Sequence, residues 1–354
     1  MLNAQNEASY LRDFSPQIDP VRGKSVLITG GTGSFGRKMV QTLLRDYDPK
    51  KVIILSRDEL KQYEMRADLE EQFGPDKMLK MRFFLGDVRD RARLELAFRG
   101  VDIVIHAAAL KQVPAAEYNP SECIATNING AENVVWACLH NRVQRVVALS
   151  TDKACSPINL YGATKLASDK IFVAANNLVG DIGTRMCAVR YGNVVGSRGS
   201  VVPLFSRLLA KGVDKLPITD ERMTRFWISL EQGVAFVLSC LELTQGGEIF
   251  VPKIPATLVT DLATAMAPNL PQQVIGIRPG EKLHEVMISA DDSRVTYELD
   301  DRYVIEPEFA EYPRKPFSKV RGAKKVREGF YYASDNNPER LDVDGIKAMI
   351  KPYL

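Results

Sequence analysis

Apolar positions along this chain follow two alternating rhythms. Short runs biased toward β-branched residues recur at 24–29, 52–55, 81–85, 101–105, 145–150 and 186–190, and the longer segments between them carry apolar residues at helical spacing. This alternation predicts βαβ units and a parallel sheet, an α/β fold. After Arg190 the texture changes: 191–203 is rich in turn formers, and 253–335 is broken by prolines, glycines and charges. An apolar, helix-like stretch at 230–243 is expected to return to the first domain. The chain therefore divides into a polar arm at 1–22, a first domain of 23–191 plus about 226–252, a second lobe of 192–225 plus about 253–335, and a tail at 336–354. The arm carries no assignable role and reads as a candidate for disorder.

The first run, Lys24–Thr29, opens into Gly30-Gly-Thr-Gly-Ser-Phe-Gly36 and then into the helical spacing of Arg37–Leu44. Gly31-x-Gly33-x-x-Gly36 satisfies the dinucleotide fingerprint. Positions without side chains let the backbone turn, let a pyrophosphate approach and let helix and strand pack closely, with the helix N-terminus facing the phosphates. Gly30, Gly33 and Gly36 are the glycine candidates. No Gly-Lys-Ser/Thr follows, which argues against a Walker-type loop.

Where a carboxylate would grip the ribose of NAD, the second run ends in Ser56-Arg57-Asp58. A hydroxyl and a guanidinium suit a 2′-phosphate, so NADP is preferred over NAD, with the alternative that Asp58 turns inward. The third run ends Gly86-Asp87-Val88, a carboxylate within reach of an adenine amino group. The fourth ends His106-Ala107-Ala-Ala109, small residues that permit close cofactor approach.

The fifth run closes in Ser150-Thr151-Asp152-Lys153, and Tyr161 and Lys165 follow on an expected helix. One turn apart on one face, the ammonium is expected to lower the phenol from about 10 toward working pH, which makes a hydride-transfer base. Spacing alone proves little, because Tyr47 and Lys51 match it across Pro49. Asp152 and Lys153 add an acid and a base that alcohol oxidation does not need, which suggests elimination of water. Asp152 as a helix cap and Lys153 as a solvated charge are the structural alternatives.

Composition narrows the setting. At 354 residues, 45% hydrophobic, with Lys+Arg 47 against Asp+Glu 44, the chain has the balance of a soluble enzyme and gives no reason to expect nucleic acid or a membrane surface as partner. Five dispersed cysteines without a C-x-x-C pair indicate reduced thiols and a cytoplasmic location, with Cys155 expected to be partly exposed as a bystander near the site. His106, His140 and His284 lack ligand spacing, so no metal is expected. The start lacks the regions of an export signal, and no apolar run is long enough to span a bilayer.

The motifs Thr29–Gly36, Ser56–Lys61, Ala107–Lys111, Ser150–Ala154, Tyr161–Lys165, Arg190–Asn193, Met223–Trp227 and Arg278–Glu285 together resemble the extended short-chain dehydrogenase/reductases. More narrowly they resemble the inverting UDP-N-acetylglucosamine 4,6-dehydratases that start pseudaminic acid synthesis. The resemblance covers roughly residues 24–300. It implies a Rossmann-type doubly wound parallel sheet with a smaller C-terminal α/β substrate-binding lobe, assembled as a homo-oligomer, dimer or hexamer. Carried over by position, Thr32, Gly33, Ser34 and Phe35 would contact pyrophosphate, and Ser56, Arg57 and Lys61 the 2′-phosphate side. Asp87 and Val88 would meet the adenine and Lys165 the nicotinamide ribose, while Lys111, Asn193, Arg225, Arg278 and Glu281 would hold the sugar nucleotide. The catalytic candidates are Thr151, Asp152, Lys153, Tyr161 and Lys165.

On this reading Tyr161 takes the proton of the sugar's C4 hydroxyl as hydride moves to tightly bound NADP, which makes the C5 proton acidic. A neutral Lys153 removes that proton, Asp152 is the acid for the hydroxyl leaving C6, and the reverse assignment stays open. Hydride returns to C6. Inversion at C5 rests on the resemblance alone. Cys155-Ser156 and the long arm depart from the pattern and leave substrate preference open to another N-acetylated hexose. A sugar-nucleotide 4-epimerase is the alternative enzyme, and a non-catalytic NADP-sensing regulator the alternative from another class.

Overall fold

The computed structural model describes residues 12–197 and 199–354. The first five apolar runs become β1 (Ser25–Thr29), β2 (Lys51–Ser56), β3 (Met81–Leu85), β4 (Ile103–His106) and β5 (Arg145–Leu149), and the sixth becomes β6 (Arg185–Val189). Central strands such as β1 are buried at every position because helices cover both faces, so they read as unbroken apolar runs instead of alternating ones. Successive residues still point to opposite faces. Ile28 and Ile54 join the core under helices Ser34–Asp46 and Leu230–Leu243, with Met39, Leu43 and Val237. Leu27 and Ile53 join the core under helices Arg91–Ala97, Gly130–His140 and Leu160–Ala174, with Leu94, Val134 and Phe172.

The sheet runs β3-β2-β1-β4-β5-β6 with every pair parallel. Strand Ile249–Pro252 extends it in parallel beside β6, and Arg302–Ile305, Thr296–Glu298 and Lys324–Lys325 complete it as antiparallel additions. This is the doubly wound Rossmann order. Strand order reverses beside β1, where Leu27 aligns with Ile53 on one side and with Val104 on the other. A crevice therefore opens at the carboxyl ends of β1 and β4, the place where such sheets bind ligands.

A three-stranded sheet, Ala256–Leu258 against Thr224–Ile228 against Asn193–Val194, and a two-stranded one, Gln272–Val274 beside Leu216–Ile218, flank the crevice. Trp227 is buried among Leu262, Ile346 and Ile350, and its indole donates to Thr257 Oγ1 at 2.7 Å. Two expectations about the chain ends change here. The arm is anchored from Arg12 onward: Arg12 bonds Glu339 at 2.8 Å, Val21 is buried, and Phe14 stands edge-on to Phe236 at 5.1 Å. Burying Phe14 contributes about 1.5–3 kcal/mol. Residues 1–11 of the arm lie outside the described residues. At the other end Val343–Ile350 is a helix whose Ile346, Met349 and Ile350 are buried, so much of the segment read as a tail is part of the core.

All five cysteines are free and buried, including Cys155, which corrects its expected exposure. Among the described residues no helix is long and apolar enough to cross a membrane, and no three His, Cys, Asp or Glu side chains gather as a metal site.

Candidate active site

The glycine turn after β1 is shaped by contact. A Cβ at Gly36 would overlap the carbonyl oxygen of Gly31, so only glycine lets the helix sit this close to the strand. Helix Ser34–Asp46 begins at Gly33 with no side-chain cap, which leaves its first N–H groups for an anion. Gly30, Thr32, Gly33, Ser34, Phe35 and Gly36 border a cavity of about 860 Å³ that opens from this turn to the second lobe.

The ends of β2 and β3 form its far wall. Ser56 is buried and accepts from Gln62 Nε2 at 2.9 Å. Asp58 caps helix Glu59–Met78, its Oδ1 accepting from the Lys61 N–H at 3.0 Å and its Oδ2 pairing with Lys61 Nζ at 2.6 Å, so its carboxylate is engaged locally. Asp87, expected to face an adenine, borders the cavity with its carboxylate held by Arg89 at 2.7 Å and approached by Arg57 at 3.4 Å. Arg57, Lys61, Val88 and Ala107 complete this wall. Behind it His106 shares a 2.8 Å hydrogen bond with Thr29 Oγ1, and burial, with Lys165 nearby, pulls the imidazole down to about 3, so it is neutral.

The carboxyl end of β5 carries the proton-transfer groups. Thr151 caps the turn Asp152–Ala154 by accepting from the Lys153 N–H at 3.3 Å. Asn159 caps helix Leu160–Ala174 by accepting from the Gly162 N–H at 2.7 Å, and Tyr161 and Lys165 lie one turn apart behind that cap. A Cβ at Gly162 would overlap the Lys153 carbonyl, so turn and helix are in direct contact. Thr151, Lys153, Tyr161 and Lys165 all border the cavity; Asp152, wholly buried, does not. Lys165 is buried, and among the described residues its ammonium finds no hydrogen-bond partner on the protein.

Charge states differ from those the spacing suggested. Burial pushes the Tyr161 phenol up to about 12, and the Lys153 charge leads the influences that oppose it. The phenol is therefore not lowered by Lys165, whose own pKa burial depresses. Lys153 Nζ lies 3.0 Å from Asp152 Oδ1 and 3.0 Å from Glu285 Oε1. Burial opposes its charge, but the two carboxylates outweigh burial and hold it above the ordinary lysine value, so the expected neutral base is an ammonium. Burial and the facing Glu285 raise the Asp152 carboxyl against Lys153 and Thr151. Burial likewise opposes charge on Glu285, yet Lys153, Arg225 and Lys282 hold it below its usual range.

On the second-lobe side Lys111, Asn193, Arg225, Arg278 and Glu281 border the cavity. Arg278 is half exposed and 3.6 Å from Glu281. Arg225 is less available than expected, because it donates to the carbonyls of Thr224 at 2.7 Å, Lys282 at 2.9 Å and Leu283 at 3.1 Å. Lys282 donates to the Cys155 carbonyl at 2.6 Å, and Asn159 Nδ2 donates to the Gly280 carbonyl at 2.7 Å, so segment 278–285 is tied to the catalytic turn. Sequence reasoning missed Asn159, Lys282 and Glu285 as site residues. Their signal was faint: a capping residue before an expected helix, and charges in a Pro-Gly turn.

Residues 26–307 match the family model described as polysaccharide biosynthesis protein. The chain belongs to this family. It is 59% identical over 321 residues to a UDP-N-acetylglucosamine 4,6-dehydratase (inverting) of Campylobacter jejuni subsp. jejuni serotype O:23/36 (strain 81-176), covering 90% of this chain and 94% of that one. A protein of Rickettsia akari (strain Hartford) named UDP-glucose 4-epimerase is 40% identical, covering 92% and 95%. Among solved structures, Pen from Bacillus thuringiensis superposes with a TM-score of 0.84 at 34% identity, covering 94% of this chain and 99% of that one.

Proposed function

We propose that this chain is a UDP-N-acetylglucosamine 4,6-dehydratase that inverts C5 and yields a UDP-4-keto-6-deoxy-N-acetylhexosamine, an early step toward pseudaminic acid or a related surface glycan. The observation that carries the reading is the Asp152–Lys153–Glu285 cluster beside Tyr161, proton-transfer capacity beyond what a C4 oxidation or epimerisation uses.

The residues present fit a nicotinamide dinucleotide: an uncapped helix start at Gly33 for the pyrophosphate, and a buried Lys165 ammonium in the wall for ribose hydroxyls. When bound, that group supplies the oxidant for C4 and the reductant for C6. Ser56 and Arg57 at the end of β2 and Lys61 in the first turn of the following helix support NADP, through a hydroxyl and two cations for a 2′-phosphate. Comparing dissociation constants of the two dinucleotides tests this, and tighter NAD binding would overturn it.

The chain's own groups then divide the proton work. Tyr161 accepts the C4 hydroxyl proton, for which it must first ionise against its burial. Lys153, the member of the Asp152–Lys153 pair that borders the cavity, faces C5 and C6, and Asp152 stands behind it as a proton reservoir. Both transfers pass through Nζ: one proton leaves with the C6 hydroxyl as water and one arrives from C5, which restores the pair; when C6 is reduced, C5 takes a proton from solvent on its opposite face and Tyr161 returns to solvent the one it gained, so every count closes. This replaces Asp152 as the direct acid. An epimerase reading, prompted by the Rickettsia relatives, would leave the pair idle. We place the enzyme in the cytoplasm as a homo-oligomer. Incubation with UDP-N-acetylglucosamine, read by mass spectrometry, should show loss of one water; an isomer of unchanged mass would favour the epimerase.

A further inference from the structure

We propose that Glu285 is a positioning residue that fixes the proton count of the Lys153–Asp152 pair, an inference that rests on the dehydratase reading. The carboxylate is held in place by its backbone. The Glu285 N–H donates to Ser334 Oγ at 2.9 Å, its carbonyl accepts from the Ser334 N–H at 2.8 Å, and Ser334 Oγ lies 2.6 Å from Thr224 Oγ1. His284, its neighbour, turns instead to Thr224 at 2.8 Å.

The side chain is 2% exposed, and the groups that face it are cationic: Lys153 at 3.0 Å, Arg225 at 3.9 Å and Lys282 at 4.0 Å. Asp152 is faced by Lys153, accepts from Thr151 Oγ1 at 2.9 Å, and lies near the Tyr161 phenol and Glu285. Two carboxylates thus share one ammonium inside the protein. Like charges this close do not both ionise freely, and the one with more cations keeps its charge. That one is Glu285. Each carboxylate keeps one buried oxygen without a hydrogen-bond partner, Asp152 Oδ2 and Glu285 Oε2, but Asp152 faces a single cation, and so the shared proton is biased toward it. Glu285 therefore does two things through Lys153: it keeps Lys153 an ammonium and it biases Asp152 toward its protonated form. The pair enters each turnover with a proton to give to the C6 hydroxyl and restores it from C5.

Glu285→Gln removes the competing charge. Asp152 then becomes the sole counter-ion of Lys153 and ionises, so the limb of the kcat profile that reports its proton should move toward acid by about one pH unit or more. Turnover at neutral pH falls while KM for the sugar nucleotide and cofactor content stay within a few-fold. Glu285→Asp, which keeps the charge, should leave the limb where it is in the unmodified enzyme. A folded Glu285→Gln with an unmoved limb, or a Glu285→Asp that shifts equally, overturns the proposal. A second measurement leaves Glu285 intact: the unmodified enzyme at neutral pH should show the infrared C=O band of a protonated carboxyl that Asp152→Asn lacks, and absence of that band also overturns it. The two readings fail separately. An unmodified enzyme that removes no water from UDP-N-acetylglucosamine sinks the dehydratase assignment, whereas a dehydrating enzyme with an unmoved limb sinks only the role of Glu285.

Discussion

Lys153→Met deletes the ammonium that Asp152 and Glu285 each contact at 3.0 Å, and it links stability to chemistry in one substitution. Removing one partner of a buried pair costs about 3–5 kcal/mol. Protonation limits that cost. Burial and Glu285 already raise the Asp152 carboxyl, so the proton is taken up chiefly at Glu285, which Arg225 and Lys282 still face. At about 1.4 kcal/mol per pH unit above an ordinary carboxyl value near 4, the ceiling is about 4 kcal/mol at pH 7 and about 1.5 kcal/mol at pH 5. The sign follows: a carboxyl whose folded pKa is raised above its unfolded value destabilises as pH climbs past the unfolded value. With about 2 °C per kcal/mol for a chain of this size, Tm should fall by about 8 °C at pH 7 and by about 3 °C at pH 5. Turnover should fall by about 10²–10⁴-fold, as befits a general acid–base group. Thermal unfolding at the two pH values, with product counted by mass spectrometry, measures both. A Tm deficit independent of pH would show that no buried carboxyl is left uncompensated, and a kcat within about three-fold of the unmodified enzyme would remove Lys153 from proton transfer.

Tyr161→Phe keeps the ring and its burial but removes the phenol, so turnover should drop by about 10²–10⁴-fold with Tm nearly unchanged; steady-state kinetics showing retained activity would exclude the phenol as the C4 base. Arg57→Ala should weaken NADP more than NAD, by about 1.5–3 kcal/mol if one charge-assisted hydrogen bond is lost, and calorimetry that finds both cofactors weakened equally would remove Arg57 from the 2′-phosphate. Asn159→Ala removes the cap on the Tyr161 helix and the 2.7 Å tie to the Gly280 carbonyl. It should cost about 1 kcal/mol in chemical denaturation and lower kcat more than it raises KM, and an unchanged kcat would separate segment 278–285 from catalysis.

The parallel sheet was legible because buried strands such as β1 and β2 are unbroken apolar runs between helical spacings, and the glycine turn because Gly36 has steric work that no other residue can do. The antiparallel additions at 296–305 and 324–325 were not, since they are short, mixed in polarity and defined by partners distant in sequence. Phe14 was hidden in a polar segment: one aromatic gives no periodicity, and its partner Phe236 lies more than two hundred residues away. At the site, spacing named Tyr161, Lys165, Asp152 and Lys153 but misjudged the charge of two of them, Tyr161 and Lys153. The phenol's burial and the approach of Glu285 to Lys153 arise only when segment 278–285 folds onto the turn after β5. Local sequence carries which groups are present; proton affinities depend on long-range packing.

Every role assigned above depends on water being eliminated between C5 and C6 inside an internal redox cycle served by Tyr161 and Lys153. The most direct measurement supplies UDP-N-acetylglucosamine labelled with deuterium at C4 and follows the label by NMR. The product should be one water lighter, with a keto group at C4 and the deuterium recovered at C6. A product of unchanged composition that retains the deuterium at C4 would contradict it.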